Sequence, residues 1–357
     1  MMPYDQDRIQ SVFLAAADKP SRERAALLHG ACANDINAIC AAIKSQATLL
    51  ARHTKFETEQ AWIGPWWAPE ETLTALFSTL QKAREELSES NWKLLCRKLR
   101  ADLSLRELLH QDPMTARAHD KPRGYAGDAV MMDYLYGLHS SAEADSNATE
   151  VGRRIFRHVQ SRDAAHAVRF RREHLADLID KIASESDDAK VLAVDSGHLR
   201  EAELSKAVQT GALSRFVALD ADAQSIAEVE ARYSKLGVET VHASVRHLLS
   251  RKYQPGQFDL VFASGLYDYL SENVAQALTV RLFELTAPGG TLLIPNFAPC
   301  VSDRAYMECF MDWHLIYRDE YEMNKLLAHI DGSAIESRDI YSGPAGAIVF
   351  ISVRKAA

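Results

Sequence analysis

Val191-Leu192-Ala193-Val194-Asp195-Ser196-Gly197-His198-Leu199-Arg200-Glu201 is the stretch on which the fold turns. Four apolar residues run without the in–out alternation of a half-exposed strand, as a strand covered on both faces should. A glycine turn and a helix-like segment over 199–209 follow. Strand, turn and helix begin a crossover unit. Four further apolar runs repeat the pattern: Phe216-Val217-Ala218-Leu219, Thr240-Val241-His242-Ala243, Leu260-Val261-Phe262-Ala263 and Leu292-Leu293-Ile294. Helical segments fit at 223–235, 272–287 and 319–330, and later strands at 333–341 and 346–353. The spacing predicts a doubly wound parallel sheet with a C-terminal hairpin.

Upstream, the rhythm is helical. Leu73, Leu76, Phe77, Leu80 and Leu87 recur at helical spacing behind Pro69-Glu70-Glu71, a favourable first turn. Residues 5–17, 21–50 and 90–110 read similarly. Trp62, Trp66 and Trp67 flank Gly64-Pro65 and suit an inter-helix plug. Two prolines and two glycines between Asp112 and Asp128 make a shaped loop. A helix from Ala129 to Tyr136 and a loop over 137–147 come next. A long helical stretch over 148–184 then carries Val168, Leu175, Leu178, Ile179 and Ile182 on one stripe. The expected organisation is a helical N-terminal lid domain over 1–160 and a Rossmann-like domain over 161–357.

Composition narrows the functional classes. A chain of 357 residues exceeds what one hydrophobic core commonly serves. Its net charge of −8, with both signs interspersed, argues against a nucleic-acid or membrane-surface binder, since both want a basic face. The acidic start, without an apolar stretch, shows no signal peptide, and no apolar run is long enough to span a bilayer. Cys32, Cys40, Cys96, Cys300 and Cys309 form no CxxC pair, so reduced thiols in the cytoplasm are expected and no metal site is.

In a sheet of this kind, ligands bind beyond the carboxyl ends of the strands. Asp195-Ser196-Gly197 follows the first strand, with a glycine that permits close backbone approach. Asp220-Ala221 follows the second, where a carboxylate suits ribose hydroxyls. Ser244-Val245, Ser264-Gly265 and Asn296-Phe297 follow the third, fourth and fifth. Structural rivals stand beside these readings: Asp220 or Asp195 as a helix N-cap, Asp128 as the cap of the helix at 129, Tyr267 as a packing residue. A single glycine fails the G-x-G-x-x-G pattern of dinucleotide binding, which must clear a pyrophosphate.

Four segments carry a resemblance. They are Lys121-Pro122-Arg123-Gly124-Tyr125-Ala126-Gly127-Asp128, Gly265-Leu266-Tyr267-Asp268-Tyr269-Leu270, Pro288-Gly289-Gly290 through Asn296-Phe297, and Met311-Asp312-Trp313-His314-Leu315-Ile316-Tyr317-Arg318. Across 119–354 the chain resembles class I S-adenosylmethionine-dependent methyltransferases, and more narrowly the bacterial family of 3-hydroxypalmitic acid methyl ester synthases. That family has Gly-Cys-Gly-Pro-Ala-Arg-Glu where this chain has Asp195 to Glu201. An aspartate thus stands in place of the first glycine, where it could take the ammonium of the methionine part.

The resemblance implies S-adenosylmethionine as methyl donor or as substrate. Arg123, Asp195, Gly197, Asp220, Ala221, Ser244, Val245, Ser264, Gly265, Tyr269 and Phe297 would hold it, and Tyr125, Tyr267 and Asn296 would serve catalysis. Tyr125 would sit on a lid loop anchored by Arg123 or Asp128, and Asp312-Trp313 with Tyr317-Arg318 would wall the acceptor side. The expected reaction is methyl transfer to a small-molecule carboxylate or amine. The chain also resembles azetidine-2-carboxylate synthases, in which the α-amino nitrogen displaces methylthioadenosine within one molecule. There Tyr125, Tyr267, Tyr269 and Phe297 would hold the sulfonium by cation–π attraction, and Asn296 would orient the amine. A catalytically inactive adenosylmethionine-binding protein is the third reading, resting on the altered loop. His198 reads as structural or as a general base. Arg169-Phe170-Arg171-Arg172 reads as a solvated face, or offers Arg172 to a carboxylate.

Overall fold

The structure, a computed structural model, describes residues 35–58, 69–138, 144 and 146–357. The helix expected over 5–17, most of the first half of that over 21–50, and Trp62, Trp66 and Trp67 lie outside the described residues. The chain divides into two compact units. One, the helical unit, comprises residues up to Gly127, Gly137–Arg162 and Ser302–His314. The other, the sheet unit, comprises Asp128–Tyr136, Asp163–Val301 and Leu315–Ala357. The partition therefore interleaves, with segments 128–136 and 302–314 each grouped away from their chain neighbours. The main break falls at Arg162/Asp163.

The helical unit contains α1 (Ile36–Thr58), α2 (Pro69–Glu86), α3 (Glu89–Arg100), α4 (Leu103–Leu109) and α5 (Pro113–Asp120). After α6 (Ala129–Leu135), which belongs to the sheet unit, it adds α7 (Glu150–Gln160) and the short helix Arg304–Cys309. The single helical stretch expected over 90–110 is two helices. Asp102 interrupts it, accepting from the backbone N–H of Leu105 as an N-cap and pairing with Lys44 at 2.5 Å. Buried Glu308 ties three elements together, accepting from Trp92 Nε1 at 2.7 Å, Arg84 Nε at 2.8 Å and Arg304 Nε at 2.6 Å.

The sheet unit opens with α8 (Asp163–Glu185). It continues with β1 (Lys190–Val194), α9 (Lys206–Gln209), β2 (Arg215–Asp220), α10 (Ala223–Tyr233), β3 (Val238–His242) and α11 (Val245–Leu249). β4 (Phe258–Ala263), α12 (Glu272–Leu285), β5 (Thr286–Phe297), α13 (Glu320–Lys325), β6 (Ile335–Ser342) and β7 (Ile348–Lys355) complete it. The strand order is β3-β2-β1-β4-β5-β7-β6. β1 to β5 are parallel, and β7 runs antiparallel between β5 and β6. This is the mixed α/β sheet with C-terminal hairpin that the apolar runs predict.

Helix lengths differ from the periodicity where a side chain captures a backbone end. The helix expected over 199–209 is a 3₁₀ turn at Arg200–Glu203 and the one-turn α9. Asp180 of α8 accepts from the N–H groups of Lys206 and Ala207 and from the Ser205 hydroxyl, so α9 starts afresh there.

Gly152 on α7 is a close-approach glycine: a Cβ there would lie 2.1 Å from the carbonyl oxygen of Gln111. Backbone cannot yield as a side chain can. Gly152→Ala is expected to lower stability by about 1–3 kcal/mol, as overpacking does. Gly332→Ala, in open space, should leave the urea midpoint within error of wild type. Equal midpoints for all three proteins would contradict this packing.

Candidate active site

Strand order reverses between β1 and β4, which makes their carboxyl ends the crevice of the sheet. Asp195 begins the loop after β1 in the left-handed region, with φ 57°. Gly197 and Leu199 share that region, at φ 53° and 52°. Only glycine takes this conformation freely; a side chain there costs about 1–2 kcal/mol. The triple reversal turns the loop back so that the Gly197 N–H donates to Asp220 Oδ2 at 2.7 Å. Asp220 Oδ1 accepts from the Asp222 N–H at 2.7 Å. Asp222, not Asp220, is the N-cap of α10, accepting from the Gln224 N–H. The capping role thus falls to the second aspartate, and Asp220 clamps the first loop to the second.

The remaining expected binding residues occupy neighbouring strand ends. Ala221 is exposed, and its carbonyl lies 3.0 Å from His242 Nε2. Ser244 caps α11, its N–H donating to His247 Nδ1, and Val245 opens that helix. Ser264 and Gly265 are half-buried beyond β4, with Asp195 Oδ2 3.9 Å from where a side chain on Gly265 would start. Asp195, Gly197, Asp220, Ser264 and Gly265 therefore converge on the switch point. Arg123 and Tyr125 belong to the helical unit, and Tyr125 is 36% exposed.

Three expected residues are committed elsewhere. Tyr267 is fully enclosed, its hydroxyl 3.0 Å from Thr279 Oγ1 in the core of the sheet unit, and burial raises its pKa well above the ordinary phenol value. Asn296 is also fully buried, donating to the carbonyls of Phe297 and Ile316 and accepting from Arg318 Nη1 at 2.7 Å. Phe297 is buried, with its N–H donating to Asp268 Oδ1 at 2.8 Å. Tyr269, at 40% exposed, is the open aromatic of that group. Arg318 is buried too. It donates to the carbonyls of Tyr267 and Leu270 and to Asn296, and so stitches the segments after β4 and β5. Asp312 lies in the helical unit, where it pairs with Lys121 at 2.7 Å and Arg100 at 2.9 Å.

The basic run is not a solvated face. Arg169 donates to the Leu135 carbonyl, and Arg172 donates to Glu203 at 2.7 Å and to the Arg200 carbonyl. Arg171 is buried, and its Nε has no hydrogen-bond partner. Its charge acts on Asp195, Glu201 and Asp268. The signal was available: 171 lies three residues after Val168 and four before Leu175, on the buried stripe of α8.

Burial sets the electrostatics of this crevice. It pushes the Asp195 carboxyl up to about 7, with the negative charge of Asp220 adding to the effect and Arg171 opposing it. Burial also raises Glu201 to about 7 and Asp268 to about 6, again against the pull of Arg171. Asp220 rises for the same reason, opposed by the backbone amides of Asp222, Gly197 and Ala221. Glu201 Oε1 and Ser196 Oγ lack hydrogen-bond partners. Buried polar atoms of this kind are costly unless something satisfies them. One guanidinium acting on three carboxyls suits a ligand with more positive than negative charge that also carries a carboxylate.

His198 is held beside this loop. Its Nδ1 lies 2.8 Å from Asp133 Oδ2, and Asp133 also accepts from Arg200 Nε and Nη2, both at 2.7 Å. His198 and Arg200 of the loop are thereby anchored to α6.

Residues 201–290 match the family model of a methyltransferase domain. Strand order and match together define the sheet as that of class I methyltransferases, joined to a helical N-terminal region. The matched segment begins just after the loop that opens with Asp195. No curated protein matches the chain. Among solved structures, it is similar to a possible exported protein from Bordetella parapertussis at 13% identity, covering 88% of this chain and 97% of that one, with a TM-score of 0.53. It is also similar to N-methyltransferase NodS from Bradyrhizobium japonicum in complex with S-adenosyl-L-homocysteine (15% identity, 63% and 100% covered, TM-score 0.40). An O-methyltransferase family protein from Burkholderia thailandensis gives 15% identity, 56% and 60% covered, and a TM-score of 0.41. Among the described residues, no helix is long and apolar enough to cross a membrane.

A carboxyl kept protonated by the fold favours the native state most at low pH. For Asp195 and Glu201 that advantage is full below the ordinary carboxyl pKa near 4 and is lost as pH rises through about 7. The protein without ligand is expected to melt at lower temperature at pH 8 than at pH 5.5. Asp195→Asn, whose amide needs no proton and tolerates the left-handed region, should flatten this slope. An unchanged slope in the variant would refute the assignment.

Proposed function

We propose that this chain binds S-adenosylmethionine at the carboxyl ends of β1 to β4 and catalyses methyl transfer to a small-molecule carboxylate or amine. The observation that carries the reading is Arg171, a buried guanidinium with an unpartnered Nε whose charge acts on Asp195, Glu201 and Asp268. That donor set fits the ligand's charges: a carboxylate for Arg171, and an ammonium and a sulfonium for the surrounding carboxyls. Asp220 and the Gly197 turn would hold the ribose side. Bound there, the sulfonium supplies an electrophile with an activated leaving group. The chain's own residues position it and exclude water, and rate comes mainly from proximity and fixed charge. The net charge of −8, with both signs interspersed, supports a protein without nucleic-acid or membrane-surface partners.

One observation favours a second reading, intramolecular cyclisation to azetidine-2-carboxylate. Where the resembling family carries a glycine, this chain keeps a half-buried aspartate at a strained φ of 57°. Its carboxyl, pushed up to about 7, is matched to an amine proton. In that reaction the α-nitrogen bonds to the γ-carbon, the γ-carbon–sulfur bond breaks, and the pair of electrons leaves with methylthioadenosine. The proton lost by the ammonium goes to Asp195.

Isothermal titration tests the binding site apart from the reaction. Arg171→Met should weaken S-adenosylmethionine binding at least tenfold, as should Asp220→Ala, whereas Arg172→Ala should leave it near wild type. Wild-type affinity in the first two would remove the proposed site. Incubation with S-adenosylmethionine alone, followed by mass spectrometry, separates the two reactions. Methylthioadenosine with a four-membered cyclic amino acid establishes cyclisation. Intact S-adenosylmethionine, turned to S-adenosylhomocysteine only when an acceptor is added, establishes methyl transfer.

A further inference from the structure

We propose that His110, His119 and Asp120 of the helical unit form a binding site for an imidazole-preferring metal dication, with zinc(II) as the preferred ion. His110 is the C-cap of α4, and His119 and Asp120 end α5. One ligand atom from each lies within 4.8 Å of the other two. The imidazole rings are 4.7 Å apart between centroids and tilted by 59°, so they converge at an edge rather than lie flat on one another. His119 Nδ1 is 3.2 Å from Asp120 Oδ1. A tetrahedral zinc ion, with bonds of about 2.0–2.1 Å, needs ligand atoms roughly 3.4 Å apart. The Asp120 side chain is 69% exposed, so its carboxylate can turn toward the rings.

The supports of this cluster are rigid. Asp112 caps α5, accepting from the N–H groups of Met114 at 3.1 Å and Thr115 at 2.9 Å and from the Thr115 hydroxyl. The left-handed Lys121, at φ 49°, ends the helix directly after Asp120. Two histidines nine positions apart in sequence are thus fixed on the ends of adjoining helices, and this is why sequence spacing gave no hint of a ligand set. Donor chemistry selects the ion. Two imidazoles and one carboxylate suit zinc, nickel or copper, while calcium and magnesium want several oxygen ligands. Three protein ligands with an exposed third leave a coordination position toward solvent. An ion here would tie the end of α4 to the end of α5, directly ahead of the loop that carries Arg123 and Tyr125.

Cobalt(II) titration of the metal-free full chain, followed by visible absorption, tests the site. One saturable equivalent with d–d bands is expected, displaced by zinc(II). His110→Ala, His119→Ala and Asp120→Asn should each weaken it at least tenfold, with unchanged far-ultraviolet circular dichroism. The exposed Asp120→Asn keeps the test valid if a histidine variant misfolds. No saturable band in wild type, or undiminished affinity in any folded variant, overturns the proposal. Neither result bears on S-adenosylmethionine binding, which is read separately.

Discussion

Arg171 is the constraint around which the sheet unit is organised. A guanidinium taken from water into a protein must be compensated, because its desolvation costs several kcal/mol. Its charge acts on carboxyls brought from separate elements, drawing each toward the ionised form against burial: Asp195 after β1, Glu201 in the turn beyond it, and Asp268 after β4. The arrangement leaves the Nε of Arg171 and one oxygen of Glu201 without partners. Such unfinished polar networks are a familiar property of binding sites, where the ligand completes what the fold leaves open. Stability and function are therefore coupled at this point. The same burial that holds Asp195 near a pKa of 7 makes it responsive to a cationic ligand.

Two clamps keep that network in place. Asp220 accepts one backbone N–H from the first loop and one from its own, so the loops after β1 and β2 cannot shift separately. Arg318 does the same for the far side, joining the carbonyls of Tyr267 and Leu270 to Asn296. Tyr267 and Asn296 act through this scaffold: one packs in the core and the other orients a guanidinium. Fixed dipoles and charges are what a displacement at a sulfonium requires, since little reorganisation can then accompany the reaction.

The fold was legible because its signals are local and repeated. Continuous apolar runs such as Leu260-Val261-Phe262-Ala263 are what two-sided burial demands, and the helices between them fix the crossovers. Helix ends were less legible. Asp102 splits one expected helix and Asp180 restarts another, and each acts through a hydrogen bond whose partner the periodicity does not reveal. Asp195, Gly197, Asp220 and Gly265 could be named from position alone, because a parallel sheet delivers the residues after its strands to one edge. Arg171 was missed because a charge beside Arg169 and Arg172 reads as solvated, although the helical stripe through Val168 and Leu175 places it inward.

What the sequence determined by itself is therefore the architecture and the edge of the sheet where chemistry is possible. Periodicity and the directionality of parallel strands suffice for these, since both act over a few residues. Tertiary structure alone decided which side chains meet: that Asp222 rather than Asp220 caps α10, that Tyr267 is core, that Arg171 faces inward among carboxyls, and that His110 and His119 stand side by side. These pairings depend on helix rotation and loop reversal. Burial and hydrogen bonding between residues distant in the chain fix both, and no local pattern encodes either.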